Sequence, residues 1–231
     1  MKDKLYDYSN LRPSTITHPE YRHLFLLLGW LGYTCMYLVT DRMIPQTSCH
    51  IVHCVVDDWI PFSEIFVIPY IFWYVFVASA LFYLLLFDVP NFVRFQIYII
   101  TTQVIAIVSY FIWPTMQLLR PQVMPRQNIF TWILQGIYFV DTPTGVCPSM
   151  HVAFAVAVAS VWFKKKDAKR ITRLFIAVTV VLICMSVCFV KQHSFVDIVM
   201  SIPVCIIAEL TAYGSSYWIP VVRAKRETVS D

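Results

Sequence analysis

The sequence predicts an all-α, polytopic membrane protein built as one six-transmembrane-helix bundle. Three observations carry this. Hydrophobic residues fill 58% of the 231 positions against 14% charged, and mean hydropathy is +0.65, a balance suited to lipid rather than water as the solvent. Apolar runs recur at about the 20 residues a helix needs to cross a hydrocarbon core of about 30 Å. The basic residues are also divided unevenly between alternate loops, as multi-pass topology requires.

The predicted spans are residues 22–40, 64–87, 95–113, 149–163, 171–190 and 194–219. Connections between them are short, only five glycines occur and no period repeats, so residues 1–231 read as a single membrane-embedded domain. Residues 1–21 are polar and rich in Pro, Tyr and charge. They lack the short apolar stretch and small-residue site of a cleaved signal peptide and are expected as a cytoplasmic segment. The run NIFTWILQGIYFV is apolar and aromatic but too short to cross, and is expected to lie in the interface.

Fourteen of the eighteen Lys and Arg fall on one side of this topology, six of them in KKKDAKRITR after the fourth span. That side is expected to be cytoplasmic, with both termini there, in a cell membrane whose anionic inner leaflet favours a basic rim. The net charge of +4 needs no nucleic-acid partner to explain it. Cys35, Cys184, Cys188 and Cys205 fall in apolar spans as small buried residues. Cys49 and Cys54 share the first outward loop, where spacing alone leaves a disulfide open. The nearby His50 and His53 read as solvated loop residues.

On the outward side three polar motifs converge: Arg120 in WPTMQLLRP; Asp141, Ser149 and His151 in DTPTGVCPSMH; and Lys191, His193 and Asp197 in FVKQHSFVD. His193 and Asp197 stand four apart at a helix start and so share a face. A carboxylate there fixes the imidazole tautomer and leaves the second ring nitrogen free as base or nucleophile. Pro148 and Ser149 open the next helix inward, where unpaired amides and the dipole favour a phosphate, and His151 stands ready to protonate a leaving oxygen. Arg120 and Lys191 are two of the four outward cations and are expected to bind phosphate. Arg126 is expected to anchor its segment to headgroups.

The order Arg-Pro, Pro-Ser-x-His, His-x-x-x-Asp over residues 113–197 resembles the type 2 phosphatidic acid phosphatase superfamily. The pieces DDWIPF, IWPT, DTP with CPSMH, and VKQHSFVDI look like its branch related to inositol phosphorylceramide and sphingomyelin synthases. The resemblance implies that His193 attacks phosphorus to give a phosphohistidine, that Asp197 orients it and that His151 protonates the leaving group. It also implies that Arg120, Ser149 and the amides after Pro148 hold the phosphoryl oxygens. Two cations of the superfamily pattern are absent: Trp113 stands where a lysine is common, and Val187 where an arginine is, with Lys191 a candidate replacement for one of them. Met150 stands where glycine is frequent.

The expected activity is a lipid phosphatase acting on a phosphate monoester or diphosphate of a membrane lipid, without metal or other cofactor. If an alcohol replaces water, the same site makes a headgroup phosphotransferase. A non-catalytic scaffold or transporter is the contrasting class. A transporter would show ionisable residues at mid-membrane and paired broken helices, whereas Glu209 alone lies deep in a span, and a scaffold gives no reason to keep His151, His193 and Asp197 together. The residues name neither the lipid nor the oligomeric state.

Overall fold

The computed structural model describes residues 5–227, with side chains as far as Gly214. Eight helices run in order: α1 (Leu28–Met43), α2 (Val55–Trp59), α3 (Val67–Phe87), α4 (Val89–Ile112), α5 (Ile129–Val140), α6 (Met150–Lys164), α7 (Arg170–Phe189) and α8 (Phe195–Glu227). Short 3₁₀ turns, Arg22–Leu27 and Glu64–Phe66, lead into α1 and α3. Two short strands, β1 (His50–Ile51) and β2 (Thr115–Met116), pair in parallel with His50 opposite Thr115. They pin the loop after α1 to the segment after α4. Lys2 and Lys4, and the side chains of Arg223, Lys225 and Arg226, on which part of the charge asymmetry rests, lie outside the described residues.

The all-α multi-pass bundle is present, but the expected count of six spans is not reached. Among the described residues five helical stretches are long and apolar enough to cross a membrane: Arg22–Met43, Glu64–Phe87, Val89–Ile112, Arg170–Phe189 and Phe195–Gly214. The sixth, α6, has only 15 residues, about 22 Å of helix. It packs against α3, α4, α7 and α8. Ala153, Ala155 and Ala157 are fully buried there, and such small side chains let neighbouring backbones come close.

The start of α4 is a second correction. The expected boundary at 95 placed Arg94 in a loop, whereas the helix begins at Val89. The Asp88 side chain caps it by accepting from the Asn91 amide, and Pro90 stands in its first turn, the position a proline tolerates best. Arg94 therefore projects from the helix and lies 5.6 Å from the Tyr213 ring. α8 is interrupted at Gly214, whose φ of 57° suits a residue without Cβ.

α5 is exposed along Trp132, Phe139 and Val140 and buries Thr131 and Leu134, as an interfacial helix would. Its N-terminus is tied down by Arg126, which meets Glu64 through two bonds, Nε to Oε1 at 2.6 Å and Nη2 to Oε2 at 2.8 Å. Arg126, expected to anchor its segment to headgroups, thus fastens it to Glu64. One apolar cluster, including Phe92, Ile99 and Phe154, fills the middle of the bundle. A second, with Val67, Tyr70, Leu134, Val152 and Val187, lies beside the polar motifs.

Candidate active site

The start of α8 is built by its own residues and by α2. His193 Nδ1 lies 3.0 Å from Asp197 Oδ2, as the four-residue spacing predicts. A carboxylate only accepts, so Nδ1 carries the proton and Nε2 is left with its lone pair. The same Oδ2 accepts from the Ser194 amide at 3.0 Å. Asp57, a residue that the reading of motifs gave no role, completes the cap. Its Oδ2 accepts from Ser194 Oγ at 2.5 Å and its Oδ1 from the Phe195 amide at 2.7 Å. Burial pushes the Asp57 carboxyl up, but the bonds from Ser194, Phe195 and Cys54 outweigh it and hold the group below the ordinary carboxylate range.

The turn from α7 to α8 presents His193. The Val187 carbonyl accepts the amides of both Gln192 and His193, at 2.9 and 3.0 Å. Lys191 takes a left-handed conformation with φ 53°, and its Nζ donates to the carbonyls of Asp57 at 2.9 Å and Ile60 at 2.6 Å. Lys191 is buried and fastens this turn to α2.

The second motif meets this turn from α6. The Ser149 amide donates to Ser201 Oγ at 3.0 Å, and the Ser201 hydroxyl donates to the Asp197 carbonyl at 2.7 Å, so Ser201 ties the start of α6 to α8. His151 stands edge-on to His193 with ring centroids 5.6 Å apart. It packs between the rings of Tyr70 at 4.6 Å and Trp73 at 4.4 Å, and Trp73 Nε1 donates to the His151 carbonyl. Ser149 Oγ and His151 Nε2 are buried with no hydrogen-bond partner in the protein. Unpaired buried polar atoms of this kind are costly. Cys147 lies beside Asp197; burial, reinforced by that carboxylate, pushes its thiol up to about 12, so it stays protonated.

Arg120 is half-buried; its two terminal nitrogens are engaged, whereas its buried Nε has no hydrogen-bond partner among the described residues. It donates through Nη1 to the carbonyls of Tyr138 and Asp141 at 3.3 and 2.8 Å, and through Nη2 to that of Thr142 at 3.1 Å and to Gln192 Oε1. Its guanidinium lies 4.6 Å from the Tyr138 ring centroid. Gln192 in turn donates to Asp141 Oδ2 at 3.2 Å, and Tyr37 donates to Asp141 Oδ1 at 3.0 Å. Burial pushes the Asp141 carboxyl up, against the Tyr37 hydrogen bond and the Arg120 charge.

The structure therefore gathers Ser149, His151, His193 and Asp197 at one point. It places Arg120 and Lys191 behind the loops that shape that point, with their donors on carbonyl oxygens. Where the family pattern has its two other cations, Trp113 stacks on His50 at 3.9 Å, and Val187 is fully buried. The seven cysteines, Cys49 and Cys54 included, are free thiols. His53 pairs with Asp58 at 2.8 Å. Among the described residues no group of three His, Cys, Asp or Glu stands together as a metal-binding cluster.

Comparison with known proteins adds no relative: no family model, curated protein or solved structure matches the chain. The resemblance to the phosphatase superfamily rests on the motifs themselves.

Proposed function

We propose that the chain is an integral membrane enzyme that hydrolyses a phosphate monoester or diphosphate of a membrane lipid through a phosphohistidine. The observation that carries this is His193, held through Nδ1 by Asp197, with the unpartnered His151 Nε2 and Ser149 Oγ beside it. In the first step His193 Nε2 forms a bond to phosphorus as the bond from phosphorus to the lipid oxygen breaks, and protonated His151 gives its proton to that oxygen. In the second step water attacks phosphorus, the P–N bond breaks, and His151 takes the proton from water. Asp197 stabilises the positive charge that develops on His193. The amides of the first turn of α6 and the nearby charges of Arg120 and Lys191 favour the phosphoryl oxygens.

A second reading, transfer of a phosphoryl headgroup to a lipid alcohol, is favoured by the state of the cations. Lys191 and the two terminal nitrogens of Arg120 donate to carbonyl oxygens, leaving Arg120 Nε alone unpartnered, and Trp113 and Val187 replace two others. A phosphodiester carries one negative charge, whereas a monoester carries about 1.5 to 2 at neutral pH and needs more compensation.

Phosphate release from a panel of lipid phosphates by purified protein in detergent, compared with His193→Ala, tests both. Release that vanishes in the variant supports hydrolysis. Headgroup transfer to an added alcohol without release supports the second reading. Neither activity in the wild type overturns both.

A further inference from the structure

We infer that a cleft between α3, α6 and α7, at the far end of the bundle from His193, binds one anionic phospholipid of the adjacent leaflet. This does not depend on the chemistry proposed above. α6 begins at the candidate site and ends at Lys164, so the loop after it lies a full helix length away. Beneath that loop is a cleft of about 730 Å³.

Its depth is apolar. Phe76, Ala80, Val158 and Ile176 form the buried wall, and Phe175 is half exposed beside them. A bilayer leaves no water to fill such a space, so a lipid chain covers it. What selects the lipid is the mouth, bordered by Lys165, Lys169 and Asp167, with Tyr83 and Trp162 at the same level. Aromatic rings at headgroup depth with lysines reaching the polar zone are the usual furniture of a membrane interface.

The charges at the mouth do not cancel. Lys165 is committed to Asp88 at 2.8 Å and stands 3.6 Å from Asp167. The loop between them is held in shape by Arg173, which donates to the Lys165 carbonyl at 2.8 Å. The side chain of Lys169, which lines the mouth, has no hydrogen-bond or ion-pair partner among the described residues, and neither have those of Lys166 and Arg170 near it in the chain, against the single carboxylate of Asp167. An ordinary solvated basic loop needs no cleft beneath it, and a packing gap has no cause to carry Lys169 at its mouth with Lys166 and Arg170 near it in the chain. Together they fit a lipid with one chain in the depth and a phosphodiester at the mouth.

The test uses the full chain, purified in a mild detergent and supplied with equal amounts of phosphatidylglycerol and phosphatidylcholine, with retained lipid counted by native mass spectrometry. Phosphatidylglycerol is expected to be retained over phosphatidylcholine. The double variant Lys166→Glu, Lys169→Glu should lower its retention by about fivefold or more and leave phosphatidylcholine unchanged. Ser79→Trp, at an exposed position on the cleft wall, should reduce retention of both lipids. Arg22→Glu, a charge reversal at the same end of the bundle but outside the cleft, should change neither. Unfolding midpoints in phosphatidylcholine alone, equal to wild type, establish that the variants are folded. Equal retention of the two lipids, or a loss with Arg22→Glu as large as with the double variant, would overturn the inference in favour of a neutral groove or a diffuse surface attraction.

Discussion

Asp57 and Ser194, 137 residues apart in the chain, share a hydrogen bond of 2.5 Å. Through it the short helix α2 caps, at the residue directly after His193, the helix that carries Asp197. The Asp57 backbone joins in, because its carbonyl is one of the two that hold the Lys191 ammonium. The imidazole of His193 is thus aimed by residues from the loop between α1 and α3 as well as by its own helix.

Removing the Asp57 carboxylate should loosen this arrangement before it touches the chemistry. Asp57→Ala leaves Ser194 Oγ and the Phe195 amide without their acceptor, a loss of about 2 kcal/mol. Thermal unfolding in detergent should show the lowered midpoint. Turnover should fall through kcat with KM little changed, since no substrate contact is removed.

The same carboxylate sets an acid limit. Its value in the folded protein lies below the ordinary 3.8, so folding favours the ionised form. The stability it contributes is fully present above that ordinary value and is lost as pH falls through the lowered one. The stability gap between wild type and Asp57→Asn should therefore be constant at neutral pH and shrink only below about pH 4. A gap that closes near neutrality would contradict the assignment.

Arg120 is a test of whether a cation near the site is a ligand or a brace. Its two terminal nitrogens end on three carbonyls and on Gln192, a pattern that a planar fork satisfies and an ammonium does not. Arg120→Lys should destabilise the protein by about 2 to 3 kcal/mol. A variant of unchanged stability whose KM alone rises would instead make Arg120 a direct phosphate ligand.

His151 is expected to act on the leaving oxygen. For a substrate with an alkyl leaving group, His151→Gln should cost about 10² to 10⁴ in kcat. With a nitrophenyl phosphate, whose leaving oxygen needs no proton, the loss should shrink to about tenfold or less. Equal losses on both substrates would remove the proton-donor role.

Local periodicity made much of this legible. The four-residue spacing of His193 and Asp197 becomes their hydrogen bond, Pro148 and Ser149 do open α6, and the aromatic run after Asn128 does form a short half-exposed helix. The start of α4 was misread because Arg94 looked like loop charge, while the cap formed by Asp88 with Pro90 weighed more. What sequence could not reveal is where donors go once the chain folds. Lys191 and Arg120 looked like free cations because their partners are backbone carbonyls, which leave no mark on composition. Asp57 and Cys147 went unassigned because their partners lie in α8, far along the chain. The one trace of Asp57 was the acidic pair in DDWIPF.

The most direct test of the central claim is to look for the covalent intermediate. Protein incubated with a lipid phosphate labelled at phosphorus, quenched rapidly, and read for acid-labile, alkali-stable label should carry phosphate on the peptide containing His193, and His193→Ala should carry none. Turnover of the same substrate without label on that peptide, or equal labelling of His193→Ala, would contradict the account.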